Sequence, residues 1–379
     1  MNAEAFRVIY SRPSNGRPPF PKAALYHDRR STYSNIVTVR DQEEHSKLRK
    51  QYSPAFQLNS LADNEVVVLK NVDSFAKKLK EIGRLGRCEV DMTLAYNWLA
   101  TDIIGDFVFG ENFSCVTKWN RGFWDTLVLD SVNHAAIFNL VARSRVLQLF
   151  LFMIMLPRIE EVHRLFGDIV KQKVQKCVEN GRGGRKNLLA RALQQPCYDQ
   201  DYIHEQAKAF IGAGSETVVT SLTAATYFLL KNPTKLQLLQ QEIRSKFASH
   251  LEITGHSTSG LRFLRGVVEE CLRLFPPGPL PLPRICQGAF ISGHYILAGT
   301  VVSVSPFVTA RDHRNFHNPD KFYPERWINE PCRDNTSASK PFSTRPRGCL
   351  GVSLAYLEMR LVLSKLVYLF DWELASDID

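Results

Sequence analysis

The chain has 379 residues, 44% of them hydrophobic, and a formal net charge of +10. That length and apolar fraction suit a folded protein with a substantial core, either one large domain or two or three ordinary ones. The excess of Lys and Arg favours acidic partners. The positive charges are scattered, however, and no run interleaves basic with aromatic residues, which excludes the pattern of a nucleic-acid groove.

In chain order, helical periodicity dominates. Amphipathic helices are predicted over about Glu44 to Phe56, Asp63 to Gly83, Leu99 to Phe109, Arg121 to Phe138 and Arg158 to Asn180. VLQLFLFMIMLP, Val146 to Pro157, is the longest apolar run and falls well short of the roughly 20 residues that span a bilayer. It reads either as a buried helix end or as an apolar surface that dips into a membrane interface. NGRGGRK, Asn180 to Lys186, and ITGHSTSG, Ile253 to Gly260, are connectors. Between them the longest helix runs from near Asp201 to the KNP at Lys231 to Pro233, about 45 Å at 1.5 Å per residue. It carries no charge from Thr217 to Leu230, so it is expected at the centre of a core. After LFPPGPLPLPR the pattern changes to short strands, AFISGHYILAG and TVVSVSPF, joined through Gly299 as a meander. A last amphipathic helix follows from Gly351 to Phe370. The fold class is mainly α with a small β portion.

The eight cysteines show no C-x-x-C spacing and no His pair that would complete a zinc site. With no signal peptide, the expected setting is reducing and intracellular, and most thiols read as small buried hydrophobes.

Three constellations stand out. In IGAGSETVV, Ile211 to Val219, Gly212 and Gly214 each cost a helix about 1 kcal/mol against Ala. Such a pair allows a kink or a close approach to the backbone, while Glu216 beside Thr217 sets an acid next to a hydroxyl. In EECLRLFPP, Glu270 and Arg273 are spaced i, i+3, whereas Glu269 reads as a solvated charge. Arg326, in FYPERW, could close a buried triad with that pair. In PFSTRPRGCLG, Cys349 sits just before a helix N-terminus that favours its thiolate. Gly348 and Gly351 flank it and Phe342 can shield it. The thiolate is then a nucleophile or a metal ligand, and the lack of a His after His317 tilts toward a ligand.

Together and in this order, the three motifs resemble the cytochrome P-450 family of haem-thiolate monooxygenases, over essentially the whole chain. The family's oxygen-helix pattern matches Ala213, Gly214, Glu216 and Thr217. Its E-x-x-R matches Glu270 and Arg273, its PERF-like element PERW with Arg326, and its cysteine loop Phe342, Arg347, Cys349 and Gly351. The texture is most similar to filamentous-fungal members that tailor secondary metabolites. The resemblance implies residues 1–379 as a single cytochrome P-450 domain with a long central oxygen-binding helix and a haem-thiolate loop. It implies haem as cofactor, with Cys349 on the iron, and Arg347, Arg284, His45 and Arg49 on the haem propionates. It also implies a proton-delivering pair, Thr217 and Glu216. An apolar small-molecule substrate would be walled by Phe210, Ile211, the PLPLP turn and the apolar part of Ser131 to Pro157. Electrons would come from a separate NADPH-dependent flavoprotein reductase, to which a basic face is suited. The family expectation is the endoplasmic reticulum surface, without a transmembrane anchor in this chain.

Three departures bear on this reading. The family's N-terminal anchor and first strands, and its C-terminal strands, are expected to be missing, as in a truncated product. Arg345 stands where the family has glycine, so a positive φ there would cost roughly 1–2 kcal/mol. Two rivals therefore stay open: an inactive remnant that binds haem poorly, and a redox-neutral haem-thiolate isomerase or dehydratase, against which the intact Thr217 argues.

Overall fold

Apolar side chains at helical spacing need facing surfaces to bury them, and the computed structural model shows how they find them. It describes residues 3–11, 19–26, 31–119, 145–179, 187–189, 199–328 and 333–375. The main helices are α1 (Ala3–Tyr10), α2 (Gln42–Tyr52), α3 (Leu58–Gly83), α4 (Met92–Phe109), α5 (Arg145–Glu179), α6 (Gln200–Leu230), α7 (Pro233–Lys246), α8 (Arg262–Leu274) and α9 (Val352–Leu369). The chain divides into two compact units. The first comprises Met1–Ala23, Leu58–Thr93 and Thr217–Asp379, and the second Ala24–Gln57 and Leu94–Glu216. The helix expected over Arg121 to Phe138 and the connector Asn180 to Lys186 lie outside the described residues. For Val146 to Pro157 only the helical backbone belongs to them.

In the first unit, α9 packs against α3, α7 and α8. Its apolar residues point several ways and most are covered, among them Leu354, Leu357, Leu361, Val362, Leu366 and Val367. Lys365 reaches Asp73 on α3. Arg244 on α7 donates to the carbonyls of Val367 and Phe370, both at 2.9 Å, and so satisfies the C-terminal end of α9. Glu242 does the converse for α8, accepting from the N–H groups of Phe263 and Leu264 at 2.8 and 2.9 Å.

The β portion of this unit is small. Strands β1 (Arg284–Ile285) and β4 (Val301–Val302) pair antiparallel, as do β2 (Ala289–Ile291) and β3 (His294–Ile296). This corrects the expected meander. The tight hairpin turns at Ser292 and Gly293, both at positive φ (51° and 83°), the geometry a two-residue turn requires. Gly299 instead turns the chain so that β4 returns to β1. Helix α1 covers this region, with Phe6, Ile9, Tyr10, Phe20, Cys286 and Val304 in one apolar cluster.

In the second unit, α4 is buried along nearly its whole length. Its Asp102 carboxylate accepts from the backbone N–H groups of Phe113, Cys115 and Val116, each at 3.0 Å, and so folds the chain that follows back onto the helix. Glu111 then binds Lys173 and Lys176 of α5 at 2.6 and 2.9 Å. Helix α6 begins in this unit and ends at Leu230 in the other, and Pro233 opens α7.

Candidate functional site

The cysteine loop is held by its own backbone. Ser343 adopts a left-handed φ of 58°, and the Cys349 N–H donates to the Phe342 carbonyl at 2.9 Å. A Cβ on Gly348 would lie 3.0 Å from the carbonyl carbon of Thr344, so only glycine fits there without a shift. Gly351 caps α9, its carbonyl accepting from Ala355 at 2.8 Å. Cys349 is exposed two residues before that cap, at the positive end of the helix. The Phe342 ring packs on Tyr356, with centroids 5.2 Å apart. Of the other described cysteines, Cys115, Cys271 and Cys286 are buried, burial pushes the half-buried Cys177 thiol up to about 11, and Cys88 is exposed like Cys349.

The strained backbone expected at Arg345 is corrected. The left-handed residue of this loop is Ser343, and Arg345 is exposed with φ outside that region. The turn is made two residues earlier and the tight approach is at Gly348, so position 345 need satisfy neither.

Arg284 and Arg347 both lie in the first unit and converge on a residue the sequence reading missed, Lys22. Lys22 pairs with Arg284 in an antiparallel bridge, flanked by Ile285 N–H donating to Pro21 at 2.9 Å. Both side chains are buried, and the Arg284 guanidinium lies over the Tyr10 ring at 5.3 Å. Burial, then Arg347, then Arg284 push the Lys22 ammonium down to about 7. The signal available in the sequence was a lone lysine between apolar neighbours in PFPKAALY.

On α6, Ala213 and Thr217 are exposed, one turn apart on a helix otherwise largely buried. The helix is continuous through the glycine pair. A Cβ on Gly214 would come within 2.4 Å of Ile104, so its missing side chain makes room for that residue. The Glu216 Oε2 is buried without a hydrogen-bond partner, and burial raises its carboxyl above the usual range. Phe210 and Ile211, expected to wall a pocket, are buried instead. Phe210 packs its ring on Tyr52 at 4.9 Å and on Phe56 at 6.1 Å. In the PLPLP turn, Leu280 and Leu282 are exposed. On α2 of the second unit, His45 is buried and Arg49, one turn on, half-buried. Of the expected wall, residues 131–144 lie outside the described residues, as do the side chains that follow them to Pro157.

Glu270, Arg273 and Arg326 come together as a buried triad. Arg273 binds Glu270 through two bonds of 2.8 Å and donates to the carbonyls of Ala310 and Pro319 at 2.7 and 2.6 Å. Arg326 donates to Glu270 at 3.0 Å and also pairs with Asp334. Two further donors were not foreseen: the Trp327 indole N–H at 2.8 Å and the Tyr323 backbone N–H at 2.9 Å. Gly266 lets PERW approach α8, since a Cβ there would meet the Pro324 carbonyl at 2.6 Å. Glu269 is half-buried rather than solvated. It accepts from the Tyr356 hydroxyl at 2.9 Å, and burial raises its carboxyl.

The chain is thus a mainly helical protein with an exposed cysteine at the N-terminus of its last helix and buried cations in the same unit. The family model for cytochrome P-450 matches residues 2–379, and the chain belongs to that family. It is 34% identical to the cytochrome P-450 monooxygenase BOA3 of Botryotinia fuckeliana, covering 99% of this chain and 76% of the relative. Averantin hydroxylase of Aspergillus parasiticus is 33% identical (98% and 75%), and the monooxygenase btcC of Colletotrichum orbiculare 32% identical (98% and 74%). The chain is a haem-dependent monooxygenase, and neither the redox-neutral alternative nor the inactive remnant is favoured. The family works with a redox partner and a substrate. Among the described residues, no helix is long and apolar enough to cross a membrane.

Proposed function

We propose that Cys349 is the axial ligand of the haem iron, and that the chain hydroxylates an apolar small molecule of fungal secondary metabolism. The observation that carries the ligand assignment is the presented sulfur: Cys349 is exposed on a loop closed by its own N–H, while three other described cysteines are buried. The residues fit an iron porphyrin. A soft sulfur ligand and buried cations for two carboxylates lie in one unit. When bound, the haem supplies the dioxygen chemistry, and the thiolate's electron donation favours O–O cleavage.

The protein's own side chains do the rest. Arg284 and Arg347 hold the haem carboxylates, and His45 and Arg49 are assigned to the same group, Arg49 as a charged donor. Phe342 and Gly351 shape the cysteine loop, and Ala213 and Gly214 form the oxygen-helix face. Glu216, whose carboxyl is raised by burial, is the acid of the relay, and the exposed Thr217 hydroxyl beside it passes a proton on. Glu270, Arg273 and Arg326 fix α8 to the segment leading to the loop.

Residues 1–379 are read as one cytochrome P-450 domain, supported by the extent of the family match. The secondary-metabolite substrate is supported by the fungal relatives, one of which hydroxylates averantin. An NADPH-dependent flavoprotein is the electron donor that a +10 chain suits. Location at the endoplasmic reticulum surface and an interfacial role for Val146 to Pro157 belong to the same reading.

The reduced protein under carbon monoxide is expected to show the strongly red-shifted Soret band of a thiolate-ligated haem, and Cys349→Ser to lose it. An unchanged band in the variant overturns the ligand assignment.

A further inference from the structure

We infer that the crevice between α8, α9 and the short helical turn Gly255–Ser259 is a binding site for a phosphate-class anion, held by Arg265 and Arg360. None of the residues assigned to the haem lines it, so it is a second site rather than part of the first.

The sequence sets two pairs at a spacing of four, Arg265 with Glu269 on α8 and Tyr356 with Arg360 on α9, and residues four apart share a helix face. Where α8 and α9 pack together, both pairs line one cavity of about 200 Å³, with Ser259 and Val268 completing it. That volume is below the roughly 300–1,000 Å³ of sites for drug-sized ligands, so the occupant is small. The Tyr356 hydroxyl donates to Glu269 at 2.9 Å and its ring packs on Phe342, so this wall is fixed at both ends before anything binds. Val268 is buried, Glu269, Tyr356 and Arg360 are half-buried, and Arg265 and Ser259 are exposed. A solute can therefore reach the guanidinium groups from solvent.

Those two groups are the unsatisfied donors of the crevice. Among the described residues neither makes a side-chain hydrogen bond or an ion pair, and the Arg360 Nε is buried with no acceptor. A buried donor left without a partner is costly, and a guanidinium cannot escape by losing its proton. The acids nearby bond elsewhere. Glu65 acts on Arg360 without pairing with it, its Oε1 accepting from the Gly255 N–H at 2.8 Å, and Glu269 takes the Tyr356 hydroxyl. Two guanidinium groups against the single Glu269 carboxyl leave the lining positive. Phosphate suits this layout better than a carboxylate does. The donors come from two helices, and a tetrahedral ion presents acceptors in more than one plane while a carboxylate presents them in one. The phosphate is either free or the terminal group of a phosphoester.

The test is isothermal titration calorimetry of the full chain with inorganic phosphate at fixed ionic strength. Acetate serves as the carboxylate comparison and a nucleoside monophosphate as the phosphoester. The variants are Arg360→Gln, Arg265→Gln and, as a control for general surface charge, Arg87→Gln, which is exposed in the same unit. Circular dichroism verifies each fold, and Arg265, being exposed, keeps the test decisive should Arg360→Gln misfold. Wild type is expected to bind a single phosphate, and acetate more weakly. Arg360→Gln and Arg265→Gln should each lose about tenfold or more in phosphate affinity, the loss of a charge-assisted bond, while Arg87→Gln binds like wild type. Without phosphate, Arg360→Gln should unfold no lower than wild type, because its Nε has no acceptor to lose. Phosphate should then raise the unfolding temperature of wild type but not of this variant. A phosphoester that binds more tightly than phosphate identifies that source, equal affinities identify the free ion, and both uphold the site. Crevice variants that bind phosphate like wild type overturn the inference, as do an equal loss in Arg87→Gln and acetate bound as tightly as phosphate. If wild type takes up no phosphate while the crevice variants slow reductase-driven haem reduction, the crevice receives an acidic side chain of a protein partner. The phosphate assignment then falls and the haem reading stands.

Discussion

Arg345 departs from the family pattern without the penalty that departure predicts. Its backbone is outside the left-handed region, its side chain is in solvent, and the turn is carried by Ser343 at φ 58°. Glycine at 345 therefore removes no strain and adds freedom to the unfolded chain, worth about 0.4–1 kcal/mol. Arg345→Gly should lower the unfolding temperature of the holoprotein slightly and leave the haem-to-protein ratio unchanged. A rise in both would restore the strained arginine. Gly348 is the position with no room: its Cβ would crowd the Thr344 carbonyl, so the loop's need for glycine sits beside the cysteine.

At the level of elements, α8 and α9 each carry an acid whose burial sets a measurable outcome. Glu270 accepts from two guanidinium groups, an indole N–H and a backbone N–H while fully buried. Glu270→Ala would strand Arg273 and Arg326, at a cost of about 3–5 kcal/mol. That is a large share of a domain's stability. Soluble yield and haem content should collapse together, and a well-folded, haem-replete variant would show the triad to be dispensable. On α9, burial pushes the Glu358 carboxyl up to about 8 from its ordinary 4.5. Between those values the unfolded chain ionises and the folded one does not, so this group's contribution to stability is full below pH 4.5 and falls as pH rises toward 8. Glu358→Gln cannot ionise. It should gain unfolding temperature relative to wild type more at pH 8.5 than at pH 5, and an equal difference at both would mean the carboxyl does not titrate in that window.

Across the whole molecule the dominant feature is the charge of +10. A basic protein meeting an acidic flavoprotein is steered by long-range attraction, which is screened over about 8 Å at physiological ionic strength. The rate of reductase-driven haem reduction, measured at subsaturating reductase, should fall as salt rises from 20 to roughly 300 mM, with little change in the carbon monoxide spectrum. A salt-independent rate would place the recognition in apolar contacts instead.

Local patterns were enough for much of this protein. The charge-free run from Thr217 to Leu230, the stop at Pro233 and the apolar spacing of the last helix located α6 and α9, because helix period and proline chemistry act through near neighbours. The ordered motifs singled out Cys349 and the Glu270–Arg273 pair in the same way. What they could not decide were contacts closed across long loops. The return of Val301–Val302 to Arg284–Ile285, the burial of Phe210 against Tyr52, and the transfer of the left-handed turn to Ser343 all depend on which surface a segment meets. Lys22 is the clearest case. Its meaning arises only when a backbone bridge sets it opposite a residue 262 positions away (284 − 22), where two fixed positive charges and the loss of water act on one ammonium group.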